Sequence, residues 1–268
     1  MTVLIDGEPN PGLLSVFDGA VLRGDGCFEA IRSYGGRPFT FDRHYRRLTR
    51  SASALRLSVP AEADLEGWVQ QIAEEAGDSI IRVVLTRGGV VPTRESAGHC
   101  LVMAHPLPLN PERLTLLPVS APWHPGGVDW DLAGVKTISY APNQAATRAA
   151  REAGFEDALL ISREGLILEG PTFSVAWVVD GNIETPEAAL GILESVTVGL
   201  AAELCDDVGL KLVEDRYQLE RIEQATEVMA MSTVKEICPV RAVGKWEYRP
   251  GPITESLRAA YQSLVSSR

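Results

Sequence analysis

Lysine is scarce in this chain, at positions 136, 211, 235 and 245 only. Basic charge as a whole is short: 36 acidic residues outnumber 25 basic ones, for a net charge of −11. That balance excludes a wide basic face, so no nucleic-acid partner is expected. Arginine makes up most of the basic residues, which leaves room for a local anion pocket. Metal-binding spacing is also lacking. Cys27, Cys100, Cys205 and Cys238 form no CxxC pair, and His44, His99, His105 and His124 are scattered. No metal site and no disulfide framework are expected, and the cysteines read as buried, reduced thiols. No apolar run reaches the roughly 20 residues of a membrane span. The start, MTVLIDGEPN, carries an acid where a leader needs apolar residues. A cytoplasmic protein without membrane contact is the expectation.

What is present is ordinary globular material: 268 residues, 45% hydrophobic, enough for two modest domains. VLIDGEP and FEAIRSYGGRPFTF each put a glycine turn between apolar strands. Asp42 reads as the N-cap of a helix whose apolar positions are Tyr45, Leu48, Ala52 and Leu55. A second helix is predicted over 65–76, then strands at SIIRVVLTR and HCLVMAH. The three prolines of PLPLNPERL mark a boundary. The division predicted is a small N-terminal α+β domain (1–105), a linker (106–113) and a large C-terminal domain (114–268). In the latter the pattern predicts a strand at TLLPVSAPW, helices over 142–154, 195–205, 217–224 and 254–264, hairpins at ALLISREGLILEG and FSVAWVVDGNIETP, and strands at EVMAMST and ICPVRAV. No regular βαβ alternation is visible, which points to an α+β class. Gly24-x-Gly26 lacks the third glycine of a dinucleotide loop.

Lys136 stands out among the four lysines. It ends an apolar stretch just before a helix, in DLAGVKTISYAPNQ. Partial desolvation there makes an amine nucleophilic; a lysine snorkelling at a strand end is the other reading. Glu169 closes the apolar LILEGPTFS. It is either an interior carboxylate needing a partner, such as a protonated pyridine nitrogen, or an exposed turn acid beside Gly170-Pro171. Arg47, in FDRHYRRLTRSA, has the fork that suits phosphate. The predicted helix start at ILESVTVGL offers amides and the Thr197 hydroxyl to an anion, and MSTVKEICPV adds Ser232 and Thr233.

Taken in order, GDGCFEAIR, HYRRL, VKTISY, LEGPTFS, GILESVT and STVKEICPV resemble the fold type IV, or class IV, pyridoxal phosphate enzymes. These include branched-chain aminotransferases, D-amino acid aminotransferases and aminodeoxychorismate lyases. The resemblance runs from about Val3 to about Val240. It implies a two-domain, D-amino acid aminotransferase-like α+β fold, pyridoxal 5′-phosphate as cofactor, and a homodimer with its active site near the interface. It makes Lys136 the Schiff-base lysine and Glu169 the partner of the pyridine nitrogen. Arg47 becomes a phosphate ligand, as do Val196, Thr197 and Thr233; Tyr140 would contact the cofactor's phenolic oxygen.

The pattern departs from the family in places. Ser195-Val196-Thr197-Val198 stands where Gly-Ile-Thr-Arg is frequent, Val175 replaces an Asn after Glu169, and Tyr140 lies four rather than five residues after the lysine. Phe28-Glu29 is similar to the aminotransferase branch, so amino transfer between an amino acid (D- or branched-chain L-) and a 2-oxo acid is the activity implied. The alternative is a lyase releasing pyruvate from 4-amino-4-deoxychorismate, and a more distant one is a non-catalytic binding protein on the same fold. Substrate contacts are expected from Glu29, Arg32, Arg87 and Arg94. The Thr86-Arg87-Gly88 loop matches both amino-acid branches, and Arg94 reads equally well as an exposed loop charge.

Overall fold

A computed structural model describes residues 2–89, 97–109, 111–207 and 209–267, in two compact units. The first comprises Met1–Pro108 together with Val135–Tyr140, and the second Leu109–Gly134 with Ala141–Arg268.

In the first unit the chain runs β1 (Val3–Ile5), β2 (Glu8–Asn10), α1 (Gly19–Arg23), β3 (Gly26–Tyr34), β4 (Arg37–Pro38), α2 (Phe41–Leu55), α3 (Glu62–Ala76), β5 (Ser79–Thr86) and β6 (Cys100–His105). Asp6 and Gly7 take positive φ values of 54° and 85°, which closes the β1–β2 hairpin with the twist that short turns favour. The strands form one antiparallel sheet in the order β2-β1-β6-β5-β3-β4. Its alternation is clean. Cys27 and Ile31 on β3, Ile81, Val83 and Leu85 on β5, and Val102 on β6 join the apolar sides of α2 and α3 in one core. Phe28, Ala30, Arg32 and Tyr34 take the opposite face.

Asp42 is not the cap of α2. Thr40 holds that position, with φ 53° and no side-chain cap bond, because Phe41 is drawn into the core and starts the helix two residues earlier. Asp42 instead sits in the first turn, where a negative charge suits the helix dipole, and pairs with Arg46 at 2.7 Å.

The second unit contains β7 (Leu114–Ser120), α4 (Ala141–Glu152), β8 (Asp157–Ile161), β9 (Ser174–Val179), β10 (Asn182–Pro186), α5 (Val196–Asp207), β11 (Leu212–Asp215), β12 (Glu227–Ser232), β13 (Glu236–Val243), β14 (Trp246–Glu247) and α6 (Pro252–Ser267). The sheet order is β11-β10-β9-β12-β13-β7-β8, with β14 paired to β13. β10/β11, β13/β7 and β7/β8 are parallel and the other pairs antiparallel. Trp177, Leu159, Val228 and Val240 lie in its main core.

The return arm expected after β8 is held by isolated bridges rather than a full ladder, Ile161 opposing Ile167. The helix predicted over 217–224 is a 3-10 turn, Leu219–Gln224. α1, β11 and the 3-10 turn Ala188–Leu190 had no sequence expectation. The four cysteines are free and buried.

Candidate active site

Lys136 is fixed through its backbone. Its carbonyl accepts from Phe28 N–H at 3.0 Å, and its own N–H donates to Ser51 Oγ of α2 at 3.2 Å. Two residues on, Ile138 N–H donates to Gly26 O at 3.0 Å, and Thr137 bridges Cys27. Residues 135–140 thus lie along the start of β3. Gly26 makes this approach possible: a Cβ there would meet Ile138 Cδ1 at 2.9 Å and the Leu85 carbonyl oxygen closer still.

The Phe28 ring organises the side chains around it. Lys136 Nζ lies 4.5 Å from its centroid, and the Arg82 guanidinium carbon 5.1 Å. Tyr140 meets it edge-on at 5.3 Å. Two cations on one aromatic ring gain from its negative faces. Arg82 was not among the residues singled out from sequence. Its signal was there: a lone charge within the apolar strand SIIRVVLT.

Behind this face, on the core side of β3, sits an ionic cluster. Glu29, 1% exposed, accepts two bonds from Arg47, Nε to Oε1 and Nη2 to Oε2, each 2.7 Å. His44 Nδ1 donates to Glu29 Oε2 at 2.8 Å. His44 and Arg47 stand one turn apart on α2, so both reach the same strand residue. Burial by itself would raise the Glu29 carboxyl; Arg47 and His44 together hold it well below the ordinary carboxylate range. Burial pushes His44 down, Glu29 opposes this, and the charges of Arg47 and Lys136 add to the depression. With both oxygens engaged and almost no surface, Glu29 holds Arg47 and His44 against β3.

Arg87 is engaged elsewhere. It pairs with Asp25 at 3.0 and 3.2 Å and donates to the Arg56 and Leu55 carbonyls, closing the C-terminal end of α2. Arg32 lies over the Tyr34 ring at 4.7 Å, and its Nε is buried with no partner among the described residues. Arg94 lies outside the described residues.

In the second unit, the Glu169 carboxylate is 16% exposed and faces Leu193 N–H at 3.3 and 3.4 Å. His124 Nε2 lies 3.7 Å from Oε1. Three residues after Leu193, α5 begins at Val196, its first turn tied by Ser195 Oγ, which accepts from Val198 N–H at 3.2 Å. Val196 and Thr197 are buried at the helix start, where amides lack intrahelical carbonyls. Thr233 is half-buried in the turn between β12 and β13. Asn143 Nδ2 donates to Pro171 O at 3.0 Å and steadies the loop after Glu169. Within one unit, then, lie Lys136, Tyr140, Glu29 and Arg47, and within the other Glu169, Val196, Thr197 and Thr233.

The family model described as amino-transferase class IV matches residues 26–243. This chain belongs to the class IV aminotransferases. These are fold type IV, pyridoxal phosphate-dependent enzymes. A bifunctional aminodeoxychorismate lyase / D-amino acid transaminase of Mycobacterium tuberculosis is 33% identical over 201 residues, 68% of each chain. A solved hypothetical aminotransferase of the same organism, in its PLP-bound form, superposes with a TM-score of 0.92 at 26% identity, covering all of both chains. A branched-chain aminotransferase of Thermoproteus uzoniensis, solved with norvaline, gives 0.90 at 26% identity, covering 100% of this chain and 95% of that one. No helix among the described residues is long and apolar enough to cross a membrane.

Proposed function

We propose that this class IV aminotransferase moves an amino group between an amino acid, D- or branched-chain L-, and a 2-oxo acid, with Lys136 as the residue that carries the cofactor. The observation that supports this most directly is the clamp on Lys136: backbone bonds to β3 and α2, with its amine on the Phe28 ring. The donor set fits pyridoxal phosphate. Lys136 offers the amine for its aldehyde, Glu169 a carboxylate for its ring nitrogen, and Arg47, Val196, Thr197 and Thr233 donors for its phosphate. Glu169 faces the Leu193 N–H, three residues before the helix start assigned to the phosphate. Tyr140, beside Phe28, is assigned to the phenolic oxygen.

When bound, the cofactor supplies an electron sink for the charge left at the substrate α-carbon. This chain's residues do the rest. Lys136 takes and returns the α-proton. Phe28 lies against that amine, 4.5 Å from ring centroid to Nζ. Arg82, on the same ring and lacking a carboxylate bond among those described, is the candidate for the substrate carboxylate, with Arg32 next along the face. Arg87 is assigned to closing α2.

The bifunctional relative supports a second reading, release of pyruvate from aminodeoxychorismate on the same groups. A homodimer belongs to the same proposal, and the exposed Leu13, Val16, Val21 and Leu22 of the first unit supply apolar surface for it. Reduced buried thiols agree with a cytoplasmic setting.

The test is borohydride trapping. Wild-type protein loaded with cofactor is expected to be yellow, to bleach, and to retain the label on the peptide containing Lys136; Lys136→Ala is expected to lose all three. A label on another peptide, Lys235 being the next candidate, overturns the assignment. Turnover that depends on an added 2-oxo acid marks the transaminase, and pyruvate release without one marks the lyase.

A further inference from the structure

His124 was read from sequence as one of four scattered histidines, and the transaminase reading gives it no part. Its setting is built, however. Ala121 N–H donates to Ile161 O at 2.8 Å and His124 N–H to Ala121 O at 3.0 Å, so the chain turns sharply after β7. Gly126 and Gly127, with φ 59° and 91°, complete the turn, and Gly127 N–H donates to Leu190 O at 3.0 Å. Gly134 N–H reaches Gly191 O at 2.9 Å. Gly191 also packs so closely on Pro125 that a Cβ there would lie 2.5 Å from its Cγ. The loop carrying His124 is therefore braced against Leu190 and Gly191. Glu169 is braced against Leu193, in the same short segment.

The ring itself is 11% exposed, with Nε2 3.7 Å from Glu169 Oε1. Its Nδ1 is buried without a partner among the described residues. A buried N–H with no acceptor is the costlier way to leave a ring nitrogen, whereas an N–H on the side of a carboxylate 3.7 Å away gains by charge attraction. The cheaper arrangement puts the proton on Nε2 and leaves Nδ1 bare.

We propose that His124 is a positioning residue: it presents an Nε2–H to Glu169 and, with Leu193 N–H, fixes the direction of that carboxylate. This rests on Glu169 as the partner of the cofactor's ring nitrogen. The Leu193 contacts are long and shared between both oxygens, so alone they leave the carboxylate free to rotate. The ring on the neighbouring loop, 3.7 Å from Oε1, adds an attraction on one oxygen only and so biases that rotation.

The first test needs neither cofactor nor activity. In ¹⁵N-labelled apoprotein, imidazole nitrogen shifts report which ring nitrogen carries the proton, and with only four histidines the His124 signals are identified by their loss in His124→Gln. The expected result is an Nε2–H tautomer whose shifts move in Glu169→Gln. An Nδ1–H tautomer, or shifts indifferent to Glu169→Gln, overturns the proposal while leaving the function of Lys136 untouched. The second test uses the reach of amide side chains. Gln places an N–H near the Nε2 position and Asn near Nδ1. His124→Gln is expected to keep the half-reaction rate within about threefold, and His124→Asn to lower it about tenfold or more at unchanged cofactor affinity. Equal rates in the two variants, or loss of affinity in step with rate, mark a packing role only and sink the idea.

Discussion

Arg47 grips Glu29 with two parallel N–H···O bonds of 2.7 Å, joining α2 to β3 beneath the face that bears Lys136. Both residues are almost fully buried, so neither can turn to water when its partner is lost. Removing one side of such a pair costs about 3–5 kcal/mol. Glu29→Gln and Arg47→Ala are each expected to lower the urea midpoint by a comparable amount. Only Arg47→Ala removes the assigned phosphate ligand, so only it should also weaken cofactor binding by about one to two orders of magnitude. Cofactor titrations of the folded fraction check this, and unchanged affinity in Arg47→Ala would return that residue to a scaffold role. The stability difference between wild type and Glu29→Gln has a pH signature. The Glu29 carboxyl is held well below its ordinary 4.5, so the contribution is complete above about that pH and declines only below it.

His44 gives a second, separate pH window. Burial, with Arg47 and Lys136 adding to it and Glu29 opposing, keeps the folded ring below its ordinary 6.5. Below pH 6.5 the unfolded chain therefore binds a proton that the native chain does not. The stability that His44 contributes above 6.5 is lost as pH falls toward the folded value. His44→Asn retains an N–H near the Nδ1 position for Glu29 but cannot titrate. Unfolding free energies measured from pH 7.5 to 5 are expected to fall more steeply for wild type than for this variant. Parallel curves would show that His44 does not carry the effect.

Gly26 tests the clamp on Lys136. A methyl group there collides with the Leu85 carbonyl and with Ile138, the residue whose N–H pairs with Gly26 O. Gly26→Ala is expected to push residues 135–140 off β3, costing about 1–3 kcal/mol and reducing the rate at which borohydride traps cofactor on Lys136. Gly67→Ala, on the exposed side of α3 with nothing within 4 Å of its Cβ, is the control: trapping should be unchanged and stability raised by about 0.5–1 kcal/mol, since alanine favours the helix. A Gly26→Ala protein with normal trapping and normal stability would mean that the strand tolerates the methyl and that the clamp does not place the amine.

Local sequence determined much of this protein. Period-two apolarity in FEAIRS and SIIRVV sets which face of the first sheet is core, since successive side chains of a strand must alternate. Asp-Gly and the prolines punctuate the chain because they restrict or relax φ, a property of single residues. Lys136 drew notice because lysine is so rare here, and Glu169 because an acid closes an apolar run. The rest depended on pairings that no local pattern carries. Nothing in the composition of residues 135–140 announces that they lie along β3, or that Glu29 meets two residues of α2 fifteen and eighteen positions away. Arg87 looked like a substrate ligand from its loop and proves to close a helix, because the free carbonyls of α2 end within its reach. His124 and Arg82 acquired meaning only from what stands opposite them, a carboxylate and an aromatic ring. A side chain's type is written in the sequence; which burial, charge and unpaired group it faces is fixed by packing, and that is where its chemistry is decided.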